Sequence, residues 1–464
     1  MKKLDVIIIG AGSAGLSARR EVAKKTENYI VVDGGILGTT CARVGCMPSK
    51  VLIQVAEDFY RQHKFQEQGI HLNGSLSLDY SEVMNHVRAL RDRFVRGVTG
   101  DMKDWMETNF VKGYAEFVDK NTLRINEELY YADKIIIAVG TTPSIPKELL
   151  GFEEFLLTTD SFFEEKTLPK SIAVIGLGVI GLELGQALSK LGIETFGIAR
   201  RKSLASISDP KLLDYVHTKF SEQMNLSFDG IASLERKDHG VLVRSGSKEI
   251  FVEKILVTSG RKLNLDKLKI ENIGLSANEK MILNHENMKL EKFDHIFIGG
   301  DITSERQILH EASDEGRIAG YNSVNELVTF KRRTPLLIAF TEPNIAFVGQ
   351  KYEDLVETKA NFEIGEVSFE GQGRSIIKLK EIGMLRIYGC PLTERILGAE
   401  LMAPDGEHLA HLISWAIANE MTVTQTLSMP FYHPVVEEGL RTSLRNLQSK
   451  ITKKPPPLEI PLNI

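Results

Sequence analysis

Two cysteines five positions apart, Cys41 and Cys46, stand in the stretch TTCARVGCMPSK (39–50), with Gly45 between them and Pro48, Ser49 and Lys50 behind them. Such a pair can be a redox-active dithiol, two inert buried thiols or half of a metal site. Positions i and i+5 of a regular helix point about 140° apart, and a disulfide needs Cα atoms within about 7 Å, so a bridge here requires a distorted turn. Gly45 supplies the backbone freedom for it, and Pro48 suits the first turn of a helix, where its missing N–H costs nothing. A thiol near a helix N-terminus or a lysine has a lowered pKa, and the thiolate is the reactive form. Zinc wants four ligands, and no second Cys or Cys/His pair accompanies this one, which leaves a redox pair or inert thiols.

Whatever the pair does, it follows a nucleotide-binding pattern that occurs twice. LDVIIIGAGSAGLSA runs into Gly10, Gly12 and Gly15, and SIAVIGLGVIGLELG runs into Gly176, Gly178 and Gly181. In each copy the first glycine makes the tight turn, the second lets backbone approach a pyrophosphate and the third lets the helix pack closely on the strand. The phosphates then meet free N–H groups and the positive end of the helix dipole. Two copies, each between an apolar strand and a helical pattern, predict two dinucleotide sites.

The two sites differ in their partners. Asp33 lies 18 residues after Gly15 and can accept hydrogen bonds from an adenosine ribose, which fits FAD or NAD. The same count from Gly181 reaches Ala199, followed by Arg200, Arg201 and Lys202, a basic run that suits a ribose 2′-phosphate and hence NADP. The third glycine of that copy is the form more usual with NAD, so the nicotinamide stays open. ADKIIIAVGTTPSIP and VEKILVTSGRKLN each close a unit on a glycine, Gly140 and Gly260, and FDHIFIGGD ends in Gly299, Gly300 and Asp301. Asp301 can serve a ligand hydroxyl or merely a turn.

From Pro335 onward TEPNIAFVG, EVSFEGQGRSIIKLK and MLRIYGCPLTERILGAELM alternate as exposed antiparallel strands do, and GEHLAHLISWAIANE and EEGLRTSLRNL read as helices. This predicts a separate α+β domain. The prolines of ITKKPPPLEIPLNI predict an irregular extended tail.

Composition narrows the class. A length of 464 residues with 42% apolar content can build about three cored domains, and a net charge of −5 speaks against a nucleic-acid binder. Three cysteines, Cys390 being the third, suit a reducing compartment. The apolar run Val6–Ile9 stops after four residues and reads as a strand rather than a signal peptide, and no run approaches a membrane span, so a cytoplasmic protein is expected.

The order G-x-G-x-x-G, C-x4-C-x-P-S-K, A-x-G-x-x-P, G-x-G-x-x-G, G-G-D, F-T-x-P and H-P-x3-E resembles the flavoprotein disulfide reductase family, which includes dihydrolipoamide dehydrogenase, glutathione reductase and mercuric reductase. The resemblance spans residues 4 to 450. It implies an α/β fold with two Rossmann-like domains, for FAD (1–146 and 265–334) and NAD(P) (147–264), and an α+β dimerisation domain (335–464). It implies a homodimer that moves electrons between nicotinamide, flavin, the Cys41–Cys46 disulfide and a small-molecule dithiol or disulfide, with membership of a multienzyme complex open. Cys46 resembles the thiol against the flavin and Cys41 the exchange thiol. Lys50 resembles the lysine beside the flavin, paired with Glu183, and Asp301 the residue that holds the flavin ribityl chain. His433 resembles the base supplied by the other subunit, oriented by Glu438. An imidazole suits that task because exchange runs through a thiolate.

The chain departs from close relatives of dihydrolipoamide dehydrogenase at Ala42 and Arg43, where they usually carry Leu-Asn, at Val435, where they carry threonine, and at Ala199, where they carry an acid. It lacks the terminal cysteine pair of mercuric reductases. The reading is therefore a dihydrolipoamide dehydrogenase-like oxidoreductase, with an NADPH-dependent reductase of a low-molecular-weight disulfide, or a flavin redox sensor without turnover, as alternatives.

Overall fold

A computed structural model describes residues 1–71, 73–276, 282–451 and 458–460. The apolar run VIII of the strand β1 (Lys2–Ile9) is buried on both faces, as a central parallel strand requires. β1 pairs in parallel with β2 (Tyr29–Asp33) on one side and with Glu128–Ile137 on the other, inside a nine-stranded sheet. The helix α1 (Ser13–Val22) crosses between β1 and β2 and packs on Leu309–Val324. Ile7, Ile9, Val32, Ile135 and Ile137 form the core on one face of this sheet.

The second motif builds the same unit again. Ser171–Ile175 sits between Glu194–Ile198 and Lys254–Val257, all parallel, in a five-stranded sheet. The helix Val179–Lys190 follows the second glycine motif as α1 follows the first. The chain enters and leaves this unit side by side: Thr141–Pro143 pairs antiparallel with Arg261–Leu263, and Ser144 N–H donates to the Gly260 carbonyl at 3.0 Å.

A third, five-stranded antiparallel sheet is assembled from Leu336–Ala339, Asn344–Gly349, Glu363–Ser368, Met384–Gly389 and Ile396–Ala403. One face packs on the helices Gly406–Ala418 and Glu438–Ile451 through Leu409, Ile413, Leu440 and Leu444. The expected exposure of these strands is corrected here. Ile396–Ala403 is buried along nearly all its length, because Ala339, Ile345 and Met402 on the second face pack against the helix Pro210–Ser221 of the second unit. EVSFEGQGRSIIKLK is also only partly strand. Gly371, at φ +84°, ends the extended run, and Gln372 caps a short helix, Gly373–Lys378, by accepting from Ser375 N–H at 2.8 Å. Ile451 still belongs to the last helix, so the tail starts one residue later than expected, and most of its proline-rich run lies outside the described residues. Among the described residues no helix is long and apolar enough to cross a membrane.

Candidate active site

The cysteine stretch folds as two helices broken at a glycine: α2 (Thr40–Val44) and α3 (Cys46–Tyr60). Thr39, at φ +61°, caps α2 by accepting from Ala42 N–H at 3.2 Å. Gly45 takes φ −125° and ψ −119°, and a Cβ there would stand 3.1 Å from the Thr40 carbonyl oxygen, so the break that turns Cys46 back toward Cys41 admits little but glycine. Both cysteines are thiols, with Cys46 the more exposed.

Their protons are not equivalent. The Cys46 thiol is lowered to about 7, first by the hydrogen bond from Cys41 and then by the charge of Lys50, against the opposing effect of burial. The Cys41 thiol is pushed well up by that same hydrogen bond and by burial. The reduced pair therefore holds one thiolate, on Cys46, and one thiol, on Cys41.

Lys50 sits one helical turn beyond Cys46 on α3. Its ammonium is 2.8 Å from Oε2 and 2.9 Å from Oε1 of Glu183, on the helix of the second glycine motif, and 4.7 Å from the Phe340 ring centroid. Glu183 is 3% exposed and also accepts from Phe340 N–H at 2.8 Å. One carboxylate thus ties together the cysteine helix, the second nucleotide unit and the first strand turn of the third sheet. The family resemblance paired Lys50 with Glu183; nothing in it pointed to Phe340, whose contribution is a backbone N–H.

His433 and Glu438 lie across the start of the last helix. Nδ1 of His433 is 3.0 Å from Oε1 of Glu438, and Val435 N–H donates to Oε2 at 3.2 Å. The hydrogen bond to His433 lowers the Glu438 carboxyl. The imidazole is 80% exposed on this chain, so its remaining ring nitrogen faces outward from the protomer.

Both glycine cradles have the geometry a pyrophosphate needs. Gly10 and Gly176 take φ +112° and +101°, and a Cβ on Gly15 or Gly181 would run into the carbonyl oxygen of Gly10 or Gly176. A Cβ on Gly12 or Gly178 would meet nothing within 4 Å, and neither helix start has a side-chain cap, which leaves its N–H groups for an anion. Asp33 accepts from Ala11 N–H at 2.8 Å and Gly35 N–H at 2.7 Å, fixing its carboxylate beside the first cradle. Asp301 accepts from Thr141 at 3.0 Å, and Arg261 donates to the same threonine at 2.6 Å and stands 3.9 Å from Asp301. Gly140 and Gly260 both have positive φ. Arg200 is paired with Glu148 at the surface, and Arg201 is exposed. These donors fit two dinucleotides, one at each cradle.

A cleft of about 190 Å³, which the sequence did not reveal, opens beside the first cradle and the cysteine helix. Its lining includes Ser13, Arg20, Thr39, Val98, Asp101 and Trp105. Arg20 faces Asp101 at 3.8 Å, and Arg19 lies 4.8 Å from the Trp105 ring centroid. No cluster of three or more His, Cys, Asp or Glu side chains suited to a metal occurs among the described residues.

Residues 4–316 match the family of pyridine nucleotide-disulphide oxidoreductases, and residues 336–444 match the dimerisation domain of the same family. Dihydrolipoyl dehydrogenase of Bacillus subtilis is 28% identical over 95% of this chain and 98% of its own. Dihydrolipoyl dehydrogenase 3 of Haloarcula marismortui is 27% identical over 96% and 97%, and a mercuric reductase of Lysinibacillus sphaericus 27% identical over 97% and 83%. The solved structure of LpdA from Mycobacterium tuberculosis has the same fold, with a TM-score of 0.84 at 21% identity over 96% of this chain and all of that one. With a cysteine pair set between two dinucleotide cradles and a dimerisation domain behind them, the chain belongs to the pyridine nucleotide-disulphide oxidoreductases, enzymes that use FAD and NAD(P) to act on sulfur groups.

Proposed function

We propose that this enzyme is a cytoplasmic homodimer that reduces a small-molecule disulfide, or oxidises the matching dithiol, through Cys41 and Cys46. The unequal protonation of the two thiols carries the reading: a thiolate at Cys46 beside Lys50, and at Cys41 a thiol that stays protonated until a base takes its proton.

His433 of the second subunit is that base, and Glu438 holds its ring in position. His433 takes the Cys41 proton; the Cys41 thiolate attacks one sulfur of the substrate, the substrate S–S bond breaks, and a mixed disulfide forms as the first substrate thiolate leaves and recovers that proton. Cys46 then attacks the Cys41 sulfur, releasing the second substrate thiolate to be protonated by solvent and closing the Cys41–Cys46 disulfide. Two electrons have passed from the protein dithiol to the substrate. The chemistry supplied by bound FAD and pyridine nucleotide is the return of two electrons to that disulfide. Gly10, Gly12, Gly15, Asp33, Lys50, Gly140 and Asp301 would hold the flavin, and Gly176, Gly178, Gly181, Glu183 and Gly260 the nicotinamide nucleotide. Arg200 and Arg201 favour NADP through a 2′-phosphate.

In this reading 147–264 is a nicotinamide-nucleotide unit inserted between 1–146 and 265–334, and 335–464 would form the subunit contact.

Steady-state assays with lipoamide, dihydrolipoamide and glutathione disulfide, each against both nicotinamides, test the proposal. Turnover of at least one that is lost in Cys41→Ser supports it; turnover that survives Cys41→Ser overturns it.

A further inference from the structure

Arg43 lies two residues after Cys41 on α2. Its guanidinium donates to the Ile36 carbonyl at 3.3 Å, and among the described residues it has no carboxylate partner. Its stem packs at Gly38 together with Val95 of α4 (Tyr80–Gly100). Gly38 lies three residues before Cys41, so the stem of Arg43 is held against the chain that leads into the cysteine helix. Ile36, beside it, is 76% exposed.

Arg43 has no acidic partner among the described residues, and Glu183, the acid beside the cysteines, is already paired with Lys50. A guanidinium held by its stem on a packed glycine, with one weak backbone contact and no acid, keeps most of its donors free for a carboxylate or phosphate.

We propose that Arg43 is a specificity residue that selects substrates carrying an anionic group, a carboxylate above all, on the arm next to the reacting sulfur. This rests on the reading of Cys41 as the exchange thiol. A neutral lipoyl amide would gain nothing from Arg43, whereas the same ring ending in a free acid, or a disulfide of acidic thiols, would gain an ion pair with the guanidinium on the helix that carries Cys41.

The test is the stopped-flow reaction of the dithiol-reduced holoenzyme with dithiobis-nitrobenzoate, which is dianionic, and with dithiodipyridine, which is neutral. The Cys41→Ser protein gives the background from Cys46 and Cys390. The ratio of the two rate constants cancels changes in thiol reactivity common to both. A surface ion pair of about 1 kcal/mol corresponds to about fivefold in rate. We expect the ratio to fall about fivefold or more in Arg43→Leu, to fall further in Arg43→Glu, and to stay within about twofold in Arg43→Lys. In the unmodified enzyme the ratio should fall with rising salt. An unchanged ratio in Arg43→Leu, or a ratio insensitive to salt, overturns the proposal. Failure of the disulfide reading shows separately, as no NAD(P)H-driven reduction of dithiobis-nitrobenzoate in any variant.

Discussion

Lys50 and Glu183 meet at 2.8 Å although they lie on helices of two different nucleotide units, and the carboxylate is buried while the ammonium keeps 31% of its surface. Removing the carboxylate leaves Lys50 and Phe340 N–H without their acceptor. Glu183→Ala should lose about 3 kcal/mol of stability, the lower end of the range for a broken buried pair because Lys50 can still reach water. Glu183→Gln, which keeps the acceptor for Phe340, should lose less; denaturant unfolding of the two variants measures the difference.

The reduced pair should titrate as one thiolate. Below about pH 7 both thiols are protonated; above it Cys46 ionises, while Cys41 stays protonated. Thiolate absorbance of the reduced protein should therefore rise by one equivalent around pH 7. The folded value lies below the usual 9.0, so this ionisation contributes stability that is present above pH 9 and is lost as pH falls to about 7. Lys50→Met removes one of the effects that lower it and should shift the step upward.

If His433 is supplied across a subunit contact, as proposed, a complementation test is decisive. Cys41→Ser and His433→Ala homodimers should each lose disulfide turnover by about 10²-fold or more. Mixed dimers should regain activity, since one of their two sites then has both an intact Cys41 and an intact His433. No recovery on mixing would place the base within the same chain.

At the second cradle, Arg200→Glu should weaken NADPH about tenfold more than NADH, measured as the ratio of kcat/KM values, because a 2′-phosphate exists only on the former. Glu148→Gln should do the reverse by freeing Arg200 from its surface partner.

The features legible in the sequence were those fixed by local backbone geometry. Glycines at set spacing, a cysteine pair around Gly45 and an imidazole five residues before its carboxylate each need only a short stretch of chain. Most partners brought together by the fold were hidden; Lys50 and Glu183, 133 positions apart, were paired only through the family resemblance. Glu148 stands 52 positions from Arg200, and Arg261 reaches Thr141 from 120 positions away. The third sheet was misjudged for a related reason. Alternation along Ile396–Ala403 marks one apolar face, but the second unit covers the other, and no periodicity within the strand reports a neighbour from elsewhere in the chain.

The short ribbon of Thr141–Pro143 against Arg261–Leu263, closed by Ser144 and Gly260, brings the two ends of a whole nucleotide unit to one point. A module whose chain enters and leaves at one point can be exchanged for one of different coenzyme preference, or transplanted by a designer, by cutting the chain at only two places, provided the faces at Glu183 and at the helix Pro210–Ser221 are matched. Arg261, which grips Thr141 from the far side of the stem, is the joint such a graft must preserve.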